Sequence, residues 1–157
     1  MTKGCFFNKI VGWLEIIDSE GSLTKLEFLS FKPQEQNENS PLIEEVKSQL
    51  EAYFSGEIKS FDMSKIPVNL KGTPFQKRCW NALFEIPYGE THSYQEQAIK
   101  VGSPEAVRAV GGANAKNPIA IIYPCHRVIG KNGKLTGFAG GLDIKERLLN
   151  FEKNSIK

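Results

Sequence analysis

Two apolar runs early in the chain, the second of them with partial alternation of apolar and polar positions, have the pattern of a β-hairpin. Residues 12–18 and 23–29 are rich in apolar and β-branched side chains, and residues 19–22 between them favour a turn. Two such runs around a short polar segment predict paired antiparallel strands. The polar stretch 32–39 is expected to be a loop.

A helix is predicted next. Ser40 can cap its start and Pro41 suits its first position, and Gly56 is expected to end it. Its apolar residues recur every four positions, at Leu42, Val46, Leu50 and Phe54. With the hairpin, this helix predicts a small α/β layer, and residues 61–71 are expected to link it to the rest of the chain.

Helix signals become denser from residue 73 onward. Thr73, Pro74 and Gln76 combine an N-cap, a first-turn proline and a capping-box glutamine. The helix that they open is expected to bury one apolar face, made of Phe75, Cys79, Trp80, Leu83 and Phe84. Cys79 is therefore interpreted as a core residue.

Two further short helices follow in close succession. Ser93 and Glu96 form a second capping box, and that helix is expected to run through Lys100. Ser103 is expected to cap the next one, which Glu105 begins. Short helices joined by a turn of about three residues are typical of a helix-turn-helix.

The second of these helices, residues 105–115, has few side chains on one face. The small residues of this bare face are Ala106, Ala109, Gly112 and Ala113. Consecutive glycines at 111 and 112 cost about 1 kcal/mol each relative to alanine, so something should require them. Close packing against a neighbouring helix is one explanation, and contact with a nucleic-acid backbone or narrow groove is the other. Arg108 stands nearly alone there, as a surface residue pairing with Glu105 or as a nucleic-acid contact.

Composition and charge limit the class of protein. A chain of 157 residues with 40% apolar and 24% charged residues fits one or two ordinary globular domains. Residues 1–70 carry 7 basic and 11 acidic side chains, whereas residues 71–157 carry 13 basic and 7 acidic ones. This asymmetry indicates a polyanion partner for the second part.

Neither a membrane span nor a secretion signal is apparent, so a cytoplasmic location is expected, or a nuclear one in a eukaryote.

One of the three cysteines has the surroundings of a nucleophile. Cys5, Cys79 and Cys125 are too few and too widely spaced for a disulfide framework or a metal site. Cys125 lies between Pro124 and His126, directly after the apolar run 119–123, and a neighbouring base can activate such a thiol. Glu152 lies at the end of a final helix, whose predicted apolar side is Ile144, Leu148, Leu149 and Phe151.

The second half of the chain resembles the O6-alkylguanine-DNA alkyltransferases, also called methylated-DNA–protein-cysteine methyltransferases. The matching segments keep the family's order and spacing; they are 72–76, 93–94, 106–111, 117–118, 124–128, 140–142 and 145–146. The resemblance implies an α/β (α+β) chain with two domains. Residues 1–68 would form a ribonuclease-H-like α/β domain, and residues 69–157 a mainly helical, winged helix-turn-helix-like domain.

The resemblance also implies a reaction. An alkyl group would pass irreversibly from O6 of guanine, and from O4 of thymine, to Cys125, once per molecule and without a cofactor. His126, oriented by Glu152, would take the thiol proton through a water, and the Tyr94 hydroxyl would bond to the departing guanine. Asn117 would support the site, and backbone groups around Val128 would recognise the base.

The partner implied is double-stranded DNA, bound through its minor groove with little sequence preference. Arg108 would fill the gap left by a flipped guanine, and the other DNA contacts would be Ala106, Ala109, Gly112 and Asn114. The protein is expected to be a monomer, and no interaction with a membrane is expected.

Some positions depart from those of other family members. Ala120 stands where proline often lines the alkyl pocket, and the substrate-pocket residues Phe138 and Ala139 stand where tyrosine and serine can occur. These departures affect which sizes of alkyl group the pocket is expected to accept. Cys5 alone does not support the zinc site of some members, so no metal is expected.

Other functions share parts of this pattern. A non-catalytic relative could bind alkyl lesions, but such relatives carry another residue in place of the cysteine. A Cys-His hydrolase could use Cys125 and His126. A transcriptional regulator would need side chains that read base edges, which a bare helix lacks.

Overall fold

The protein is described from a computed structural model covering residues 1–34, 40–138 and 140–156. The chain divides into two compact units, Met1–Leu70 and Lys71–Lys157. The predicted domain limits, 1–68 and 69–157, stay a prediction. No helix within the described ranges is long and apolar enough to span a membrane.

The first unit is a three-stranded antiparallel sheet with one helix. The strands β1 (Thr2–Asn8), β2 (Gly12–Ser19) and β3 (Ser22–Leu29) lie in the order β1-β2-β3. The hairpin prediction is confirmed, whereas β1 was not predicted. Its residues Cys5 and Phe6 are both buried, so β1 lacks the alternation that identifies a half-buried strand.

Helix α1 (Pro41–Ser55) packs on this sheet. Its predicted caps are confirmed, since the Ser40 hydroxyl accepts from the Ile43 N–H and Gly56 ends the helix in the left-handed conformation (φ 86°). A Cβ added at Gly4 would lie 2.6 Å from Cγ2 of Ile43, so the sheet meets the helix closely at this glycine. Tyr53 is fully buried.

The segment predicted as a linker, residues 61–71, is mostly part of the first unit. It contains a 3₁₀ turn at Met63–Lys65, and Val68 forms a parallel bridge with Leu23 of β3. The linker prediction was wrong because these backbone groups bond to a strand that is distant in sequence. The predicted loop at 32–39 lies partly outside the described residues.

The second unit is mainly helical. Helix α2 (Pro74–Ala82) begins with the predicted capping box of Thr73 and Gln76. Cys79, Trp80 and Leu83 are buried, as predicted, but Phe84 is 45% exposed. The chain changes to a 3₁₀ turn at Leu83–Glu85, which moves Phe84 off the buried face.

A helix-turn-helix follows, as predicted. Helix α3 (Tyr94–Lys100) begins with a complete capping box of Ser93 and Glu96. Helix α4 (Val107–Ala115) begins later than predicted, with Ala106 as its N-cap. Ser103 is not the cap, because its carbonyl closes a separate turn by accepting from the Ala106 N–H at 2.9 Å.

Helix α5 (Leu142–Ser155) closes the chain. Leu148 is buried as predicted, but Ile144, Leu149 and Phe151 are only half-buried. Two charged residues of this helix, Lys145 and Glu152, are completely buried instead. The short strands β4 (His92–Ser93) and β5 (Val128–Ile129) pair in parallel, so the start of α3 lies beside the segment that follows Cys125.

Candidate active site and nucleic-acid interface

The segment before Cys125 is a buried, tightly turned loop. Every residue of the apolar run from Ile119 to Tyr123 is at most 7% exposed. Ile121 has a φ of 69°, in the left-handed region that β-branched residues rarely adopt. A conformation of this kind costs about 1–3 kcal/mol and persists only where the surrounding contacts impose it.

Asn117 supplies those contacts. Its Oδ1 accepts from the Ile119 N–H at 3.0 Å, and its Nδ2 donates to the Tyr123 carbonyl at 2.8 Å. The same Nδ2 lies 3.1 Å from Sγ of Cys125. One amide therefore holds both ends of the loop and offers a hydrogen bond to the sulfur.

His126 is completely buried next to Cys125. Its Nε2 lies 2.8 Å from Oε2 of Glu152, which joins the loop to helix α5. Its Nδ1 has no hydrogen-bond partner within the described residues. With Glu152 ionised, Nε2 carries the hydrogen and Nδ1 is left as a proton acceptor.

Arg127 holds Glu152 in place. Its Nε and Nη2 each donate to one carboxylate oxygen of Glu152 at 2.9 Å, and its Nη1 donates to the Ile86 carbonyl at 2.8 Å. Burial raises the pKa of Glu152, but the bonds and charges of His126 and Arg127 outweigh it, and the pKa lies far below its ordinary value. Glu152 is therefore an anion at neutral pH.

The thiol and the imidazole are both uncharged at rest. Burial raises the pKa of Cys125, and the hydrogen bond from Asn117 and the charge of Lys145 oppose that rise. Burial also lowers the pKa of His126, against the bond and charge of Glu152. The cluster therefore contains a protonated thiol beside a neutral base, His126. It also contains two groups that would stabilise a thiolate, the Asn117 amide and the Lys145 ammonium.

Tyr94 and Lys145 form a second polar group at the site. The Tyr94 hydroxyl donates to the Thr136 carbonyl at 3.3 Å, and Nζ of Lys145 donates to the same carbonyl at 3.0 Å. Nζ of Lys145 also lies 3.5 Å from the Tyr94 hydroxyl and 5.9 Å from the centroid of the Phe138 ring. Burial lowers the pKa of Lys145, whereas a thiolate at Cys125 would raise it.

The remaining predicted pocket residues differ in their accessibility. Val128 is completely buried, and its N–H donates to the Cys125 carbonyl. Ala120 is 7% exposed, and Phe138 is half-buried. Ala139 lies outside the described residues.

The predicted bare face of α4 is partly correct. Arg108, Ala109 and Gly112 are exposed, and Ala106 is half-buried as the N-cap. Ala113 was assigned to this face wrongly, because it is 3% exposed and belongs to the apolar core.

Asn114 was also assigned wrongly as a DNA contact. Its side chain is buried, and both ends of its amide bond to Gln97. Arg108 forms no ion pair with Glu105 among the residues described, so that alternative is not supported.

Packing within the protein does not explain the glycines of α4. A Cβ added at Gly112 would meet nothing within 4 Å, and one at Gly111 would meet the Tyr94 ring at 3.9 Å, an ordinary contact. Close packing against another helix, one of the two explanations left open, is therefore wrong for Gly112. The bare surface faces outward, as a helix that contacts an external partner would require.

These features define a helix-turn-helix protein with a buried, activatable cysteine in the same unit. Two family models match the chain: the ribonuclease-like domain of 6-O-methylguanine DNA methyltransferase over residues 6–70, and its DNA-binding domain over residues 74–154. The chain belongs to the 6-O-methylguanine DNA methyltransferase family.

Individual relatives agree over nearly the whole chain. A methylated-DNA–protein-cysteine methyltransferase of Methanosarcina barkeri is 52% identical, covering 94% of both chains. The constitutive enzyme of that name from Bacillus subtilis is 47% identical, covering 94% of this chain and 93% of its own. The crystal structure of Mycobacterium tuberculosis OGT in complex with DNA is 45% identical with a TM-score of 0.84, covering 96% of this chain and 92% of that one.

The structure brings together Cys125, His126 and Glu152, as the resemblance implied. Arg127 and Lys145 were not assigned to the site from the sequence. Both lie inside segments that match the family, Arg127 in 124–128 and Lys145 at 145–146, and Lys145 lies between the half-buried Ile144 and exposed positions of α5. Their burial depends on contacts between distant segments, so no local pattern identifies it.

Proposed function

We propose that this protein repairs DNA by direct reversal, moving a methyl or other alkyl group from O6 of guanine to Cys125. The single observation that carries the proposal is the cluster in which a buried thiol receives the Asn117 bond and adjoins a histidine fixed by Glu152. Family membership supports the same reaction.

The proton transfer follows from the hydrogen bonds of His126. Nδ1 of His126 accepts the thiol proton through a water, and the imidazolium that forms is stabilised by Glu152. Asn117 and Lys145 stabilise the negative sulfur. Because Arg127 occupies both oxygens of Glu152, this carboxylate keeps its charge and orients the histidine without taking the proton itself.

The alkyl transfer is a displacement at a saturated carbon. The sulfur lone pair forms a bond to the alkyl carbon, the bond between that carbon and O6 breaks, and its electrons pass to the guanine ring. The Tyr94 hydroxyl, supported by Lys145, hydrogen-bonds to a ring nitrogen as the negative charge grows. Lys145 would thus act on both the nucleophile and the leaving group.

The product of this step is a thioether, in which the sulfur is a very poor leaving group toward water. Cys125 would not be regenerated, so each molecule would act once. The same displacement could act on O4 of an alkylated thymine, which stays a prediction.

The test measures the change in the bases of the DNA. A duplex containing one O6-methylguanine is incubated with the protein, and its nucleosides are then measured. We expect guanine to replace O6-methylguanine in an amount equal to the protein added. Continued conversion beyond that amount would mean turnover, and lesion binding without conversion would indicate a non-catalytic relative.

The DNA is proposed to contact the bare face of α4, through its minor groove. The exposed Arg108, Ala109 and Gly112 support this placement, since a face without long side chains can approach a groove closely. Arg108 would occupy the space of the flipped guanine. A monomeric state and a cytoplasmic location remain further predictions.

Replacing Arg108 with alanine is expected to slow repair of duplex DNA about tenfold or more, because unstacking and unpairing a base costs a few kcal/mol. Reaction with a free alkylated guanine base should change little. Single-turnover rates on both substrates measure this. Lys116→Ala, which removes an exposed cation beyond the end of α4, is the matched control, and equal slowing of both reactions by Arg108→Ala would rule out the proposed role.

Replacing Gly112 with alanine is expected to stabilise the protein and weaken DNA binding. The helix gains about 0.5–1 kcal/mol in free energy of unfolding, while the new methyl group projects from the bare face. Thermal unfolding and duplex binding by fluorescence anisotropy measure the two effects.

Gly111→Ala is the matched control for this prediction, because it improves the helix equally but places its methyl group toward the Tyr94 ring. We expect it to bind duplex normally. If Gly112→Ala also bound DNA like the unchanged protein, the bare face would not be the contact surface.

A further inference from the structure

Small apolar residues hold helix α4 to the rest of its unit. Its buried apolar side chains are Val110 and Ala113, and Val107 packs beside them. Side chains of this size interlock little with their neighbours, so apolar packing alone fixes the rotation of α4 about its axis only weakly.

Buried hydrogen bonds supplement this packing. Nε1 of Trp80 donates to the Ala113 carbonyl at 2.7 Å, and a pair of amides adds bonds between side chains. Nδ2 of Asn114 donates to Oε1 of Gln97 at 2.7 Å, and Nε2 of Gln97 donates to Oδ1 of Asn114 at 3.0 Å. Nε2 of Gln97 also donates to the Cys79 carbonyl at 3.0 Å. Gln97 and Asn114 are 2% and 5% exposed, so both depend on these bonds. One side chain of α3 thus joins α2 to α4.

The hydrogen bonds of this pair are directional, unlike the apolar contacts. Asn114 lies about 200° around the helix from Gly112, at about 100° per residue, so it is on the side opposite the bare face. A rotation of α4 would separate the two amides and leave buried polar groups unpaired. The same rotation would move Arg108 and Gly112 across the surface.

We propose that Gln97 and Asn114 are positioning residues that set the rotation of α4 and thereby direct Arg108 and the bare face toward DNA. The inference rests on the proposed function. It gives Asn114 a role in DNA recognition that acts through the helix, in place of the direct contact that its burial excludes.

The test replaces both amides together, by Gln97→Leu and Asn114→Leu. Replacing both partners of a hydrogen bond by apolar groups of similar shape is nearly neutral for folding, whereas replacing one leaves its partner unsatisfied. In the double variant the Cys79 carbonyl loses its bond from Gln97, so a modest loss of stability is expected. Thermal unfolding verifies that the double variant is folded. Single-turnover rates are then measured with duplex containing O6-methylguanine and with free O6-methylguanine base.

The double variant is expected to react with duplex about tenfold more slowly, because even small misplacement of binding groups is costly. Its rate with the free base should match that of the unchanged protein. Gln49→Leu is the matched control, since Gln49 is a buried, hydrogen-bonded glutamine of the first unit. It should leave both rates unchanged.

Three results would contradict the inference. An unchanged duplex rate in the double variant would mean that the rotation of α4 is set without the amide pair, by apolar packing and the Trp80 bond to the Ala113 carbonyl. Equal loss of both rates would assign Gln97 and Asn114 a purely structural role. An unchanged protein that transfers nothing from duplex would overturn the proposed function, and this inference with it.

Discussion

Replacing Cys125 with alanine is expected to abolish alkyl transfer and preserve DNA binding. The sulfur is the group that would form the new bond, and nothing else in the cluster can replace it, since Asn117 is a neutral amide and His126 is oriented by Glu152. The bare face of α4 is unchanged, so duplex affinity should stay within about twofold of the original value, a difference of about 0.4 kcal/mol in binding free energy. Transfer is measured from labelled methylated duplex, and affinity by anisotropy.

The other two cysteines provide matched controls for this variant. Cys5 and Cys79 are buried thiols in the first and second units, respectively. Alanine at either position should lower stability slightly and leave transfer intact. Transfer that survived Cys125→Ala, or that disappeared with Cys79→Ala while the protein stayed folded, would place the acceptor elsewhere.

Replacing Glu152 with glutamine is expected to damage both stability and activity. The variant leaves Arg127 buried without its anion, and breaking a buried ion pair in this way costs about 3–5 kcal/mol. It also removes the charge that would stabilise the His126 imidazolium, so transfer should slow about 100-fold, the low end of what general-base catalysis contributes. Chemical unfolding and single-turnover rates measure the two losses, and a raised pKa of Cys125 should accompany them.

The free energy of unfolding lost in Glu152→Gln should become smaller as the pH falls into the acid range. Glu152 has an ordinary pKa of 4.5 that the folded protein lowers strongly. A carboxylate of this kind stabilises the fold fully above about pH 4.5, and the stabilisation is lost as the pH falls below that value. The difference between the original protein and Glu152→Gln should therefore be constant near neutral pH and shrink in acid.

Asp143→Asn, on the same helix as Glu152, is the control for Glu152→Gln. Asp143 pairs with Arg147 at 3.0 Å, but both side chains are more than half exposed. Removing an exposed pair of this kind should cost at most about 0.5 kcal/mol. If Glu152→Gln were as mild as Asp143→Asn, the buried ion pair would not be the stabilising element described here.

Local signals in the sequence predicted much of the fold. The caps at Ser40, Thr73 and Ser93 involve residues three or four positions apart, so their chemistry can be recognised without the tertiary structure. The start of α4 was predicted two residues too early because Ser103 and Pro104 favour both a helix start and a turn.

The site was predictable only as far as a short motif or the family resemblance reached. Cys125 and His126 are adjacent, and the resemblance supplied Glu152. The roles of Arg127 and Lys145 depend on which segments meet in the folded chain. An arginine and a lysine are usually exposed, so composition alone predicts the opposite of what is found. The left-handed conformation of Ile121 has no signal in the sequence, because Asn117 and the surrounding contacts impose it.

The proposed function depends above all on Cys125 itself accepting the alkyl group. The most direct measurement is mass spectrometry of peptides from the protein after incubation with duplex containing O6-methylguanine. We expect the peptide with Cys125 to gain one methyl group in place of one hydrogen, in every active molecule, while the peptides with Cys5 and Cys79 stay unmodified. An unmodified Cys125 in protein that has bound the lesion, or a methyl group found on another residue, would contradict it.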